Sequence, residues 1–411
     1  MRWLIIFWIF VVSATAYLDR VNISIAARSI ANEFHLSNIQ LGWVFSAFVL
    51  GYALFQAPAG WLADRIGPRM ALAAGVVWWG VFTMLLTVLP ASASAILILT
   101  IGVRFCLGVG EAIVYPASNC VVAAWIPSAE RGIANGLIFA GVGFGAGVTP
   151  LLIVYIMLHH GWRAAFGVSA VAGLAVGAIW YILARDTPAE HPWVSPPERE
   201  LITKGLPPRA PQTGAQPLSW TDILHNRNIW AVTLSYFAYG YAAYIFFSWF
   251  FIYLSEVRGL NLKQGSYFTM LPFLAMAIAS PLGGWISDRV MKGRGKRWGR
   301  CGIAIAGMGL AAVFIGLGTL VESAELASVI LAGGAGALYL SQSSFWSVSA
   351  DAGGVSAGTV SGLMNMGGQI GAAITASLTP AIANHFGWNA SFLVAAGLCG
   401  CGALLWSVVE P

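Results

Sequence analysis

Long apolar runs alternate with short polar breaks along the whole chain. A helix that crosses a bilayer needs ~20 predominantly apolar residues, and its backbone groups must bond within the segment. Twelve runs meet that length, at about 3–25, 41–62, 70–89, 94–123, 134–157, 163–183, 228–254, 264–286, 301–321, 325–349, 358–383 and 388–409. One break is much longer than the rest. Residues 184–227 are polar and carry Pro188, Pro192, Pro196, Pro197, Pro207, Pro208, Pro211 and Pro217. The pattern predicts an all-α membrane protein of twelve transmembrane helices. It divides into a six-helix bundle over 1–183, a linker over 184–227 and a second bundle over 228–411. Glu198-Arg199-Glu200 is placed to open a short surface helix in the linker, to which no chemistry is assigned. The first run begins almost at Met1 and has no small-residue cleavage site behind it, so it reads as a helix and not a removable signal.

The chain repeats itself. Gly60-Trp61-Leu62-Ala63-Asp64-Arg65 recurs 224 residues later as Gly284-Trp285-Ile286-Ser287-Asp288-Arg289. At an offset of 226, His159, Gly161, Trp162, Ala164 and Phe166 align with His385, Gly387, Trp388, Ala390 and Phe392. Gly136, Gly141 and Gly145 align with Gly362, Gly367 and Gly371 in that register. The repeat unit is therefore a six-helix half, and its two copies run in the same orientation.

Composition sharpens this picture. Hydrophobic residues are 58% of the chain and charged ones only 9%, far from a soluble domain. Of the 21 Lys and Arg residues, fifteen fall on the side of the N-terminus and four (Arg28, Arg163, Arg258, Lys263) on the other. Positive charge marks the cytoplasmic side, so both termini are expected there. The net charge of +5 is this inside bias and not a nucleic-acid footprint. Cys106, Cys120, Cys301, Cys399 and Cys401 lie in or at the ends of apolar helices and read as small buried hydrophobes. Gly141, Gly143, Gly145 and Gly147 form a helix-packing stripe, not a phosphate loop, since no lysine follows. There is no zinc motif and no nucleophile–base set. No cofactor or metal is expected, and no ATP drives the chain.

The chemistry lies in four ionisable residues at membrane depth: Asp19 and Arg20 in the first run, Arg104 and Glu111 in the fourth. Each costs roughly 2.5–3.5 kcal/mol there if left ionised and alone. They must pair with one another, with water in a cavity, or with a ligand. A purely structural ion network is the competing reading, but such networks stabilise weakly. Arg104 and Glu111 are seven residues apart, hence ~20° apart around the axis and ~10.5 Å along it. They share a face, and a group from another helix can sit between them. Asp19 and Arg20 point ~100° apart and can serve different partners. Two fixed cations can hold an anion, and two carboxylates can carry protons.

Buried tyrosine hydroxyls need partners. Tyr52 and Tyr244 read as ligand-facing, Tyr236, Tyr239 and Tyr241 less so, and Trp249 and Tyr253 as an interfacial belt. Helix ten carries Ser341-Gln342-Ser343-Ser344-Phe345-Trp346-Ser347, and helix eleven carries Asn365 and Gln369. About half of these are read as interhelical hydrogen bonds. The second half has no counterpart to the four charges. His159 and His160 read as solvated residues of a short outer loop.

These residues resemble a family, the anion:cation symporters of the major facilitator superfamily. Tyr17-Leu18-Asp19-Arg20-Val21-Asn22-Ile23-Ser24 is similar to its first-helix signature. Arg104 through Ala112, then Pro116, Trp125, Pro127, Glu130-Arg131 and Gly161-Trp162-Arg163, resemble its pattern over helices four to six. The resemblance runs through the chain and implies two parallel six-helix repeats that alternate access to a midplane site. It implies that Arg20 binds a substrate carboxylate, that Asp19 and Glu111 exchange protons, and that Arg104 links them. It implies substrate contacts from Tyr52, Ser343, Trp346 and Asn365. It makes the Gly60–Arg69 segment, with Asp64 and Arg65, a cytoplasmic latch that meets the start of helix eleven; Asp288 and Arg289 are its repeat copy. A fifth-helix glutamine of the galactonate carriers has no match near Val142 and Gly143. The N-terminus is short for the family.

The expectation is a proton-coupled symporter for an organic anion, best a sugar acid, working as a monomer in a bacterial-type inner membrane. Aromatic or aliphatic dicarboxylates, sodium coupling, a facilitative channel-like pore and a non-transporting sensor are the alternatives; a membrane enzyme is the poorest fit.

Overall fold

The computed structural model describes residues 1–36, 38–90, 95–206, 218–250, 253–260 and 262–410. Arg209, Pro207, Pro208, Pro211 and Pro217 lie outside the described residues, as do the side chains of Ser24, Arg28 and Lys263. Every regular element among the described residues is helical. The long ones are α1 (Arg2–Phe34), α2 (Asn38–Ile66), α3 (Pro68–Thr87), α4 (Ile96–Glu111), α5 (Val114–Trp125) and α6 (Arg131–Leu183). Short α7 (Pro196–Gly205) and α8 (Trp220–His225) occupy the linker. Then come α9 (Arg227–Ser248), α10 (Leu262–Arg294), α11 (Ile303–Leu320), α12 (Ala324–Gly353), α13 (Ala357–Phe386) and α14 (Trp388–Leu405). Eleven described stretches are long and apolar enough to cross a membrane, and one of them, Ala324–Thr375, runs through α12 into α13. The chain is thus a multi-pass membrane protein.

Two departures from the expected runs have local causes. The fourth run is split into α4 and α5 by a turn at Ala112–Ile113. Pro116 has no N–H for the Ala112 carbonyl and crowds it, which breaks the ladder. Glu111 sits at that break. The fifth and sixth runs are joined without a loop; the chain reverses at Gly161, whose φ of 77° suits glycine. Its repeat mate Gly387 reverses the chain between α13 and α14 with φ 85°. His159 therefore ends a helix instead of lying in a loop. Its ring is exposed, and its Nδ1 lies 2.8 Å from the Tyr155 carbonyl.

Lipid tails are as apolar as leucine, so close packing and not hydrophobic burial joins these helices. A Cβ on Gly141 would lie 2.6 Å from the Phe10 carbonyl oxygen, and one on Gly145 2.3 Å from that of Ala14. Gly141 and Gly145 make the seam between α1 and α6, whereas Gly143 faces Ala277 of α10. Within the first half α1 packs on α6 and α2 on α4; within the second α9 packs on α13 and α10 on α12. Between halves the large contacts are α2 with α13 and α6 with α10, which are equivalent positions in the two repeats.

The linker lies at one end of the molecule with both chain termini. The Met1 amino group is 2.8 Å from Glu198, and the Asn228 side chain donates to the Glu410 carbonyl at 3.1 Å. At the other end Glu33 pairs with Arg163 and accepts from Trp162 Nε1 at 2.6 Å. Burial pushes the Glu33 carboxyl up, but these two donors hold it below its ordinary 4.5.

Candidate functional site

A cavity of about 1470 Å³ lies between the halves. Its first-half wall includes Tyr17, Arg20, Phe48, Tyr52, Arg104 and Tyr115; the second half supplies Tyr236, Tyr239, Tyr244, Gln342, Asn365 and Gln369. It runs from the charged residues toward Ile23, Trp43 and Ile101, away from the linker.

Arg20 reaches from α1 to α4. Its Nε–H donates to Glu111 Oε2 at 2.7 Å, and Glu111 is fully buried behind the cavity wall. The Arg20 guanidinium lies over three rings, 4.0 Å from the Tyr52 centroid, 4.8 Å from Tyr17 and 5.4 Å from Phe48. Such stacking favours a cation that has left water. Arg104 lies 4.7 Å from the same Phe48 ring and is 2% exposed. Its Nε and Nη1, like Nη2 of Arg20, have no hydrogen-bond partner among the described residues. Asp19 is 2% exposed, outside the cavity wall, and neither carboxylate oxygen has a described partner.

Arg104 therefore does not bridge the two acids by direct ion pairs. Two helical turns and the break at Ala112 separate it from Glu111, and α1 supplies the cation instead. Asp19 and Arg20, adjacent in sequence, face different surroundings, as their ~100° separation requires.

Tyr52 is buried under Arg20, and its ring packs on Phe48 with centroids 5.9 Å apart. Tyr244 is half-buried in the cavity wall beside Phe247. Asn365 lines the cavity and donates to Gln56 Oε1 across the halves at 2.8 Å. Ser343 does not line it. Its hydroxyl donates to the Ser280 carbonyl of α10 at 3.3 Å, and the neighbouring Gln342 faces the cavity instead. One residue is a ~100° turn of the helix, more than a sequence argument resolved. Trp346 is buried beneath the cavity, packed on Tyr115 and Phe139 with centroids 5.7 and 5.1 Å away. The Tyr236 hydroxyl accepts from Gln342 Nε2 at 3.0 Å and from Trp346 Nε1 at 3.2 Å. These three residues form a floor. Beyond it a second cavity of about 160 Å³ is lined by Thr233, Ser349, Asp351 and Lys296 among others.

The linker end is closed by two equivalent contacts. Asp64 of α2 accepts from the Gly358 and Thr359 backbone N–H groups at 2.9 and 2.8 Å and from the Thr359 hydroxyl at 2.6 Å. Asp288 of α10 accepts from the Gly132 and Ile133 N–H groups at 2.9 and 2.7 Å. Each carboxylate meets the unsatisfied, electropositive start of a helix in the opposite half. Glycines permit the approach. A Cβ on Gly60 would be 2.0 Å from the Gly358 carbonyl oxygen, and one on Gly284 2.1 Å from that of Gly132. Arg65 and Arg289 stand apart from these contacts. Both are exposed and lie over Trp61 and Trp285, at 4.3 and 5.5 Å. The cations that do serve this end are others. Arg300 Nη1 donates to Asp288 at 2.7 Å, Lys296 pairs with Asp351 at 2.9 Å, and Arg131 also pairs with Asp351. Sequence reasoning placed these cations only on the inner side, because positive-inside counting carries no depth.

The family model described as Major Facilitator Superfamily matches residues 9–376. The chain belongs to the major facilitator superfamily. This facilitator is 34% identical over 399 residues to the probable sulfoacetate transporter SauU of Cupriavidus necator, covering 96% of this chain and 91% of that one. It is 31% identical over 419 residues to the probable galactarate/D-glucarate transporter GudP of Bacillus subtilis, covering 98% and 90%. Its fold is that of the human organic anion transporter MFSD10, with a TM-score of 0.74 at 16% identity over 98% of both chains. This facilitator is accordingly a transporter and not an enzyme.

Proposed function

We propose that this protein is a secondary transporter that carries an organic anion of the sugar-acid class together with protons, by alternating access. The observation that carries this reading is the pair Arg20 and Arg104, two guanidinium groups in the wall of one interhelical cavity whose buried N–H donors lack partners among the described residues. The relatives named for sulfoacetate and for galactarate/D-glucarate transport agree with it.

Charge conservation supplies the coupling. Asp19, Arg20, Arg104 and Glu111 sum to zero when all are ionised. A carboxylate arriving at Arg20 competes with Glu111 for the same guanidinium. A proton taken up by Glu111 releases Arg20 without leaving an ionised acid unpaired at membrane depth, which would cost roughly 2.5–3.5 kcal/mol.

Alternation follows from the two closed contacts at the linker end. Residues 1–183 and 228–411 act as rocking halves, and 184–227 tethers them. The Lys and Arg bias puts the linker end on the cytoplasmic side in this reading, and the bacterial relatives fit a bacterial-type inner membrane. The conformation is then inward-closed, with the Tyr236–Gln342–Trp346 floor between the main cavity and the smaller one on the exit side. Arg65 and Arg289 are anchors at the headgroup level in this reading.

Purified protein in proteoliposomes tests it. A pH gradient, acid outside, should drive uphill uptake of a sugar acid, and a thermal-shift screen should show that acid stabilising the protein more at pH 5.5 than at 7.5. Uptake that never exceeds equilibrium, or stabilisation by neutral sugars alone, would refute it.

A further inference from the structure

Resting on the anion-carrier reading, we propose that this site selects a dianion, a short-chain molecule with an acid group at each end, and that Arg104 is the residue that reads the second charge. Arg20 and Arg104 flank one ring, Phe48, at 5.4 and 4.7 Å from its centroid. Their guanidinium carbons are therefore no farther apart than the sum of those distances, within reach of the two ends of one small diacid. Both line the same cavity. Each carries at least one buried N–H donor without a partner among the described residues, and Arg104 carries two; Arg104 is 2% exposed, and the Arg20 side chain, open to the cavity, 13%.

A cation whose only task was to neutralise Glu111 would be bonded to it, but that bond belongs to Arg20. A cation dedicated to Asp19 would give that carboxylate a partner, and Asp19 has none among the described residues. Arg104 is the group left over, in the cavity wall, with its planar fork of donors unused. Guanidinium forks match carboxylates and sulfonates in geometry. The neutral end of the cavity, with Gln342, Asn365 and Gln369, then contacts whatever hydroxyls the chain between the acid groups carries.

Charge fixes the proton count. With Asp19 and Glu111 both protonated, Arg20 and Arg104 present two positive charges, which a dianion neutralises. A dianion therefore travels with two protons, and the transfer is electroneutral.

The test uses purified full-length protein and D-glucarate against D-gluconate, which share a six-carbon skeleton but differ in one acid group. Titration calorimetry in buffers of different ionisation heat reads both affinity and protons taken up. Wild type should bind glucarate on the order of tenfold to a hundredfold more tightly, the worth of one added charge-assisted bond. It should take up two protons with glucarate and one with gluconate. Arg104→Gln should collapse that ratio toward one, Arg104→Lys should keep part of it, and Arg20→Gln should weaken both ligands. Equal affinity of wild type for the two acids, or an unchanged ratio in Arg104→Gln, would overturn the inference while leaving the anion-carrier reading intact. Binding of neutral glucose as tight as either acid would overturn both. Because the wild-type ratio and proton counts already decide, a variant that fails to fold does not remove the test.

Discussion

Replacing Glu111 by glutamine isolates the competition at Arg20. In the structure Arg20 Nε donates to an ionised partner at 2.7 Å. A charge-assisted bond of that kind is worth about 1.5–3 kcal/mol, and the neutral bond to a glutamine oxygen about 0.5–1.5 kcal/mol. The substrate carboxylate therefore displaces a competitor weaker by ~1–1.5 kcal/mol in Glu111→Gln, which is roughly five- to tenfold in Kd. The variant should bind substrate that much more tightly than wild type at pH 7.5. The gap should close as pH falls, because wild-type Glu111 then takes up its proton and releases Arg20 as well. Calorimetric titration of both proteins at pH 5.5, 6.5 and 7.5 measures this. In proteoliposomes the variant should retain substrate exchange and lose proton-driven accumulation. An affinity ratio that stays the same at all three pH values would refute the competition, and equal loss of exchange and accumulation would refute the assignment of Glu111 to coupling.

Arg20→Ala should abolish detectable binding and uptake while leaving the protein folded in detergent; normal uptake would remove Arg20 from the site. Gly60→Ala sets a methyl group 2.0 Å from the Gly358 carbonyl oxygen, with backbone on both sides. The latch should be held ajar, and Cys120, whose thiol donates to Asp64 at 3.3 Å, should react several-fold faster with a maleimide in a background lacking the other cysteines. An unchanged rate would place the closure elsewhere. Tyr236→Phe removes the acceptor shared by Gln342 and Trp346 and should change the transport rate more than the substrate Kd, whereas a loss of affinity at constant rate would make Tyr236 a substrate ligand and not part of a floor. Glu33 is held below its ordinary 4.5 by Trp162 and Arg163, so it stabilises the fold above that value and loses this contribution as pH falls through its lower folded value. Glu33→Gln should lower the melting temperature at pH 7 and converge with wild type in acid; a constant difference across pH would show a packing effect alone.

Much of this protein is written in its linear pattern. Apolar runs of membrane length specify spanning helices because the bilayer leaves the backbone no other partners. The recurrence of Gly60–Arg65 as Gly284–Arg289 reveals two halves, and the reversals at Gly161 and Gly387 are legible as a repeated glycine. The presence of four ionisable groups in apolar runs marks the candidate site, because such groups are too costly to keep there idle. What the pattern does not contain is the rotation of each helix about its axis and the identity of its neighbours. Those decide that Glu111 pairs with Arg20 and not with Arg104, and that Asp19 is sealed away one residue from a cavity-lining cation. They also turn Gln342 toward the cavity while Ser343 bonds to α10, and they bring Asp64 but not Arg65 to the opposite half. Each of these choices turns on ~100° of helix rotation per residue. Only the packing of one half against the other sets that rotation.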